Sequence, residues 1–324
     1  MGGGSFSLKV NVNLVNVNTS VHNRESNRAV ADLAIDDFVV AEDGVPQTIA
    51  KFDNTEAPFS LLLLLDVSGS TASYLRLIQQ ASIEFTRQIK AGDRIALATF
   101  NSRTRLRQQF TDDRQEIERA LRSIRSGGGT AFYDALSASV TEFFEGQEGR
   151  KAIVVFTDGV DNRLTGDFSN GSTISFPDLF RQIKERDILI YTIFLDTEGR
   201  MTKSRIPGRN SGTLGGILGD IILGRGSKPV IGGGNVDPRA YEEARGELEE
   251  IADQTGGRMY TPTAIQDLSG VYGEIADDLR IQYTLGYYSN SSLSDGRWRQ
   301  IEVTIRNRPD FVVRSRRGYY GGRN

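Results

Sequence analysis

Three short stretches of the 324-residue chain gather oxygen-bearing side chains at spacings that could do chemistry. In Asp66-Val67-Ser68-Gly69-Ser70 a carboxylate and two hydroxyls stand at alternate positions, and Gly69 permits a tight loop. In Gly127-Gly128-Gly129-Thr130 a glycine run delivers a hydroxyl to the start of a helix. In Phe156-Thr157-Asp158-Gly159 a second carboxylate stands in a turn. Together they offer two carboxylates, Asp66 and Asp158, and three hydroxyls, Ser68, Ser70 and Thr130, without nitrogen or sulfur. Such a donor set suits a hard divalent ion, above all octahedral Mg²⁺ with positions left open to water. Taken singly each stretch is a weak signal, because a glycine run before Thr is often only the lead-in to a helix cap. Their joint placement carries the argument.

Composition removes most alternatives. The chain has no Cys and one His, which excludes disulfides, thiolate zinc sites and Cys nucleophiles. A Ser-His-Asp triad would have to be built on His22, which reads as part of a polar turn. Phosphatase-like chemistry would want a second Asp two residues after Asp66, where Ser68 stands. No Gly-x-x-x-x-Gly-Lys-[Ser/Thr] follows a strand. The chain is therefore expected to be a binding protein and not an enzyme. A net charge of -3 and a pI near 5.5 argue against a nucleic-acid partner. The longest apolar run, Leu61–Leu65, is far short of the ~20 residues of a membrane span. Asp161 and Asp167, just past the third stretch, could add ligands, but they read more simply as a solvated loop. Tyr283, Tyr287 and Tyr288 could make a sugar-stacking face, against half-buried strand packing as the plainer reading. The opening Met1-Gly2-Gly3-Gly4-Ser5 reads as a cloning remnant, with any secretion signal already removed.

The elements that must position these residues alternate between strand and helix. Phe59–Leu65 is an apolar run of the kind buried on both faces of a parallel sheet. Leu75, Ile78, Phe85 and Ile89 then recur at helical spacing. Further strands are predicted over 94–100, 104–110, 151–156 and 188–195. Helices are predicted over 113–125 and 131–144, from Pro177 onward, and from Pro238 to about Gly256 with Asp237 as cap. A short strand at Met259 leads to a last helix over 264–280. Each site stretch thus falls at the carboxyl end of a strand or the mouth of a helix, where open α/β sheets bind ligands. Residues 197–236, rich in Gly and Ser with an apolar patch over Leu214–Leu223, read as an insertion, either a partner-facing rim or a disordered loop.

The flanks are β in character. Leu8, Val10, Val12 and Leu14 alternate with polar residues, and the phase then slips to Val15, Val17 and Val21. Asp37–Val40, a turn at Glu42-Asp43-Gly44, and Thr48–Phe52 read as a hairpin. Strands return over 282–288, 298–306 and 311–316. Residues 1–58 hold 4 Lys+Arg and 8 Asp+Glu, whereas 281–324 hold 8 Arg and 3 Asp+Glu. Opposite charge favours pairing of two segments that are each too small for a core. The expected organisation is a β-sandwich-like domain made of residues 6–57 and 281–320. It is split by a Rossmann-like α/β domain with a mostly parallel sheet over 58–280.

At this point the sequence resembles the von Willebrand factor A domain family over about residues 58–280. Asp66-x-Ser68-x-Ser70, Thr130 and Asp158 match all five positions of its metal-ion-dependent adhesion site. Ala131-Phe132-Tyr133-Asp134-Ala135-Leu136 and Thr157-Asp158-Gly159 are also similar to the family. The flanks resemble a bacterial subfamily, best known from acidobacteria, through Leu33–Gly44, Gln282-Tyr283-Thr284-Leu285-Gly286-Tyr287 and Arg317-Gly318-Tyr319-Tyr320. The insertion over 197–236 departs from a minimal A domain. The resemblance implies Mg²⁺ or Mn²⁺, with Ca²⁺ less favoured, coordinated directly by Ser68 and Ser70. Thr130 would join when ligand is bound, and Asp66 and Asp158 would coordinate directly or through water. The ion would take a carboxylate from a protein or glycan partner, as in a secreted or cell-envelope adhesion module. The alternative is an assembly subunit docking onto an AAA-ATPase or chelatase-type machine.

Overall fold

The computed structural model describes residues 14–54, 56–88, 90–195, 238–262, 267–290 and 295–321. The insertion over 197–236, the strand positions Leu8, Val10 and Val12, the helical positions Ile89, Ala264 and Ile265, and the cap Asp237 lie outside the described residues. The chain divides into two compact units, one formed by residues 1–56 with 281–324 and the other by residues 57–280.

Among the described residues the N-terminal segment contributes four strands. In β1 (Leu14–Asn23) Val15, Val17 and Val21 are buried, while Leu14 is 37% exposed. His22, expected in a polar turn, lies instead within β1 and is buried there. β2 (Phe38–Glu42) and β3 (Val45–Gln47) form a hairpin, with Asp43 and Gly44 both at positive φ. A two-residue turn of this kind matches the twist of the flanking strands. The expected second arm over Thr48–Phe52 is a correction. The hairpin closes on β3, and β4 (Ile49–Asp53) leaves for the other sheet. Pro46, which lacks an N–H, is tolerated because β3 is an edge strand. Ile49 and Phe52 then pack against the shared core.

The α/β unit opens with β5 (Phe59–Asp66), every residue of which is buried. It is followed by α1 (Leu75–Gln88), β6 (Arg94–Phe100), β7 (Thr104–Thr111), α2 (Arg114–Ser123) and α3 (Phe132–Ala138). β8 (Arg150–Thr157), α4 (Phe176–Lys184), β9 (Leu189–Phe194), α5 (Pro238–Thr255), β10 (Met259–Tyr260) and α6 (Leu268–Arg280) complete it. The sheet order is β10-β9-β8-β5-β6-β7, parallel except for the antiparallel edge strand β7. Successive leucines of β5 serve opposite faces. Leu61, Leu63 and Leu65 pack with Ile78, Phe85, Leu121 and Ile275 of α1, α2 and α6. Leu62 and Leu64 pack with Phe132, Leu136, Leu179 and Leu248 of α3, α4 and α5. A strand covered on both faces has no polar side to show, which is why its sequence is continuously apolar. The helix expected over 131–144 does not run through. It passes into a π-helical turn at Ser139–Phe143, where the Ser139 hydroxyl donates to the carbonyl of Ala135 at 2.7 Å. Such back-bonding competes with the helix ladder.

The C-terminal segment adds β11 (Tyr283–Tyr288), β12 (Trp298–Ile305), β13 (Phe311–Ser315) and β14 (Gly318–Tyr320). With β1–β4 they build two antiparallel four-stranded sheets, β13-β1-β11-β4 and β14-β12-β2-β3. Val15, Val17, Phe38, Val40, Leu285, Ile301 and Val303, drawn from both sheets, form one core. Tyr283 and Tyr287 belong to that core and Tyr288 is 50% exposed, so the three tyrosines form no common stacking face. Glu42 is buried among hydroxyls. It accepts from Tyr287 and Tyr319 at 2.8 Å each and from Ser289 at 2.6 Å, joining β2, β11 and β14. Glu42→Ala would strand these donors at a cost of about 3 kcal/mol, whereas Glu42→Gln keeps an acceptor. Urea unfolding followed through Trp298, the chain's one tryptophan, should show a clearly lower midpoint for the alanine variant and a smaller fall for glutamine. An alanine variant with the parent's midpoint would contradict this account.

Candidate metal centre

β5 runs between β6 and β8, so the loops leaving the carboxyl ends of these three strands meet at one end of the sheet. Asp66, the last residue of β5, is fully buried. Its Oδ1 accepts the Ser68 N–H at 2.9 Å and its Oδ2 accepts the Thr157 hydroxyl at 2.7 Å. Thr71 closes the turn by donating its hydroxyl to the carbonyls of Asp66 at 3.0 Å and Ser68 at 3.3 Å. This fold of the loop brings the Ser68 and Ser70 hydroxyls within 3.0 Å of each other. Ser68 is buried and Ser70 exposed, so the hydroxyls lead from the interior to solvent.

Thr130 arrives from the opposite direction. The segment from α2 to α3 is fixed by Gly127 N–H donating to the Val67 carbonyl at 2.8 Å and Gly69 N–H donating to Gly128 at 3.0 Å. Gly128 sits at φ +91°, a left-handed conformation that side chains disfavour. At Gly129 a Cβ would lie 2.7 Å from Cβ of Asn170, so only glycine allows the approach of the neighbouring loop. Asn162 then holds Thr130 by both backbone groups. Its Oδ1 accepts the Thr130 N–H at 2.8 Å, and its own N–H donates to the Thr130 carbonyl at 2.9 Å. Thr130 is buried.

Asp158 is buried one residue beyond β8, and its Oδ1 accepts the Val160 N–H at 3.3 Å. Burial, and after it the negative charge of Asp158, push the Asp66 carboxyl up to about 7, against the hydrogen bonds from Ser68 and Thr157. Two carboxylates buried beside each other repel and lack water's solvation, a situation that a divalent cation relieves. The donors are all oxygen, three of them neutral, as hard cations require. Among the described residues no group of three or more His, Cys, Asp or Glu could hold a metal. Any ion here therefore depends on the hydroxyls.

Several residues that position this site escape a reading of the sequence. Thr157 bridges the two site strands by holding Asp66, and it accepts the Gly159 N–H at 2.8 Å. Its sequence signal is its place in the Thr157-Asp158-Gly159 turn, which does not reveal the bond to Asp66. Asp161, expected in a solvated loop, is a correction. It is fully buried and accepts the backbone N–H groups of Phe132, Tyr133, Arg163 and Ser172 and the Ser172 hydroxyl, at 2.5–3.2 Å. It thereby caps the N-terminus of α3 just after Thr130. Asp167 does organise an accessible loop, where hydrogen bonds from Ser169, Asn170 and Asn162 hold its carboxyl down at about 2.

Replacing Asp161 with Asn leaves fewer acceptors for these donors and removes the charge at the helix start. It should cost about 3 kcal/mol in a thermal or denaturant melt of the α/β unit; an unchanged melt would remove its capping role. A second expectation concerns Glu247 in α5, which accepts the Tyr133 hydroxyl at 2.7 Å. Burial, with the charges of Glu243 and Asp161 adding, raises its carboxyl to about 7. The folded state then holds this proton more tightly than the unfolded chain, so stability falls as pH rises from about 4.5 through 7. Glu247→Gln should melt progressively higher than the parent as pH is raised through that window. A constant difference between the two would show that Glu247 does not titrate there.

Residues 61–160 match the von Willebrand factor type A domain family. No curated protein matches the chain. Among solved structures, an aerotolerance-related membrane protein from Bacteroides fragilis is 15% identical, covering 68% of this chain and 98% of its own, with a TM-score of 0.45. Proximal thread matrix protein 1 of the mussel byssus, with a zinc-occupied MIDAS motif, is 15% identical over 74% of this chain and 50% of its own, TM-score 0.49. The SpRpn10 VWA domain is 12% identical over 66% of this chain and 94% of its own, TM-score 0.41. The α/β unit, with its central mostly parallel sheet, has the von Willebrand factor type A fold, and residues 61–160 carry the match to that family.

Proposed function

We propose that the α/β unit is a metal-dependent binding module and not an enzyme. Asp66, Ser68, Ser70, Thr130 and Asp158 hold Mg²⁺ or Mn²⁺, in preference to Ca²⁺, and the ion captures a carboxylate of a protein or glycan partner. The observation that carries this reading is geometric: the fully buried Asp66 carboxylate, with the buried Asp158 as its charged neighbour, lies at the foot of two serine hydroxyls 3.0 Å apart. When bound, the ion supplies an electrophilic position for an incoming carboxylate oxygen, because neutral hydroxyls leave much of its charge uncompensated. The protein's own part is to orient. Thr157 and the Ser68 N–H aim Asp66, Thr71 tightens the serine loop, and Asn162 fixes Thr130. The chain's single histidine lies in β1, within the other unit, which supports binding over acid–base catalysis.

The flanking β segments favour the bacterial subfamily in which an A domain sits between β segments, and an adhesion role in the cell envelope or outside the cell. Recovery of the native protein in the cytosolic fraction would overturn that location.

Calorimetry should find one Mg²⁺ or Mn²⁺ per chain. Asp66→Ala should abolish binding. Ser70→Ala, at an exposed position, should weaken it by about tenfold or more while leaving the metal-free melt unchanged. Saturation at ~100 times Kd should raise stability by about 2.7 kcal/mol. Undiminished binding in both variants would end the assignment.

A further inference from the structure

Gly129 and Thr130 are held by two asparagines of the loop after β8. Asn162 meets the Thr130 backbone twice, its Oδ1 accepting the Thr130 N–H at 2.8 Å and its own N–H donating to the Thr130 carbonyl at 2.9 Å. Asn170 lies against Gly129. A Cβ added there would come within 2.7 Å of the Asn170 Cβ and 2.8 Å of the Asn162 Nδ2. Both asparagines are tied to one atom of the half-buried Asp167. Its Oδ2 accepts from Asn162 Nδ2 at 3.1 Å and from Asn170 Nδ2 at 2.9 Å, while its Oδ1 accepts the Ser169 hydroxyl at 2.6 Å.

The chemistry of the amide makes this arrangement directional. An asparagine side chain offers N–H on one side and an oxygen on the other, whereas an ionised carboxylate only accepts. Asp167 therefore takes the Nδ2 side of Asn162 and leaves Oδ1 facing the Thr130 N–H. Without that carboxylate the amide loses the partner that orients it, and its hold on Thr130 loosens. The loop has ties of its own. The Asp167 N–H donates to the Asn162 carbonyl at 2.9 Å, and the Gly171 N–H donates to the Asp167 carbonyl at 3.1 Å. Both are backbone bonds that a change of side chain leaves in place. At the other end of the glycine run, the Gly128 carbonyl accepts the Gly69 N–H at 3.0 Å. A shift of this turn thus also reaches the loop that carries Ser68 and Ser70.

We infer that Asp167, outside the set of metal ligands, is a positioning residue of the metal centre that acts through Asn162 to fix Thr130. This rests on the metal-dependent reading above. Calorimetry with Mg²⁺ alone should find Asp167→Ala and Asn162→Ala each about tenfold weaker than the parent. The double variant should bind no more weakly than Asn162→Ala, because the carboxylate acts through the amide. Additive losses would mean that the charge of Asp167 acts on the ion directly, and they overturn the inference. Asp167→Asn removes the charge and keeps an acceptor oxygen, so it should bind closer to the parent than Asp167→Ala does. A loss as large as that of alanine overturns the inference too. A second readout needs no metal. In amide hydrogen exchange of the metal-free protein, Thr130 should exchange about tenfold faster in Asp167→Ala, while the amides of β5 keep the parent's rates. Unchanged exchange at Thr130, faster exchange throughout β5, or Mg²⁺ affinity at the parent's value in both alanine variants overturns the relay and leaves the metal site standing. Failure of the parent to bind Mg²⁺ overturns the underlying reading, and this one with it.

Discussion

The Asp66 carboxylate at the end of β5 is the group that the rest of the α/β unit is arranged around. A strand covered by helices on both faces delivers its last side chain into the interior, where an anion loses hydration. The surrounding donors answer only part of that loss. Ser68 N–H and the Thr157 hydroxyl each take one oxygen, while Asp158 adds a like charge. The balance left over is what a bound cation would relieve, and it exists because β5 and β8 are parallel neighbours that end at the same level.

Around that carboxylate the loops divide their work. Gly127 and Gly128 take left-handed backbone, Gly129 admits the Asn170 loop where a Cβ would collide, and Asn101, Asn162 and Asp161 hold the resulting loops through their backbone groups. Among the hydroxyls near the site, those of Thr71 and Thr157 lock the turns. A site assembled this way is positioned before any ligand arrives, which favours affinity by limiting what must be ordered on binding.

The β unit buries a carboxylate with a different outcome. Glu42 is met by three hydroxyls from β11, β14 and the turn after β11. There the acid works as a peg between sheets. Asp66 has a second carboxylate beside it and open hydroxyls above it, and so points to a ligand. The two sites use the same functional group, and their neighbours decide the role.

Much of this architecture is written in local pattern. The run Leu61–Leu65, the helical spacing of Ile78 and Phe85, and the alternation of strand with helix determine a parallel sheet covered on both faces. A strand of period two and a helix of period 3.6 leave different marks within a few residues. The spacing of Asp66, Ser68 and Ser70 is local too, and one tight loop brings their atoms together. What tertiary structure alone decided spans long intervals of chain: the Thr157 hydrogen bond to Asp66, the hold of Asn162 on Thr130, the burial of Asp161 under α3, and the transfer of β4 to the second sheet. These depend on which strand ends lie side by side and how far each loop can reach. No periodicity records that, because a hydrogen bond between distant residues leaves no mark on the residues next to them.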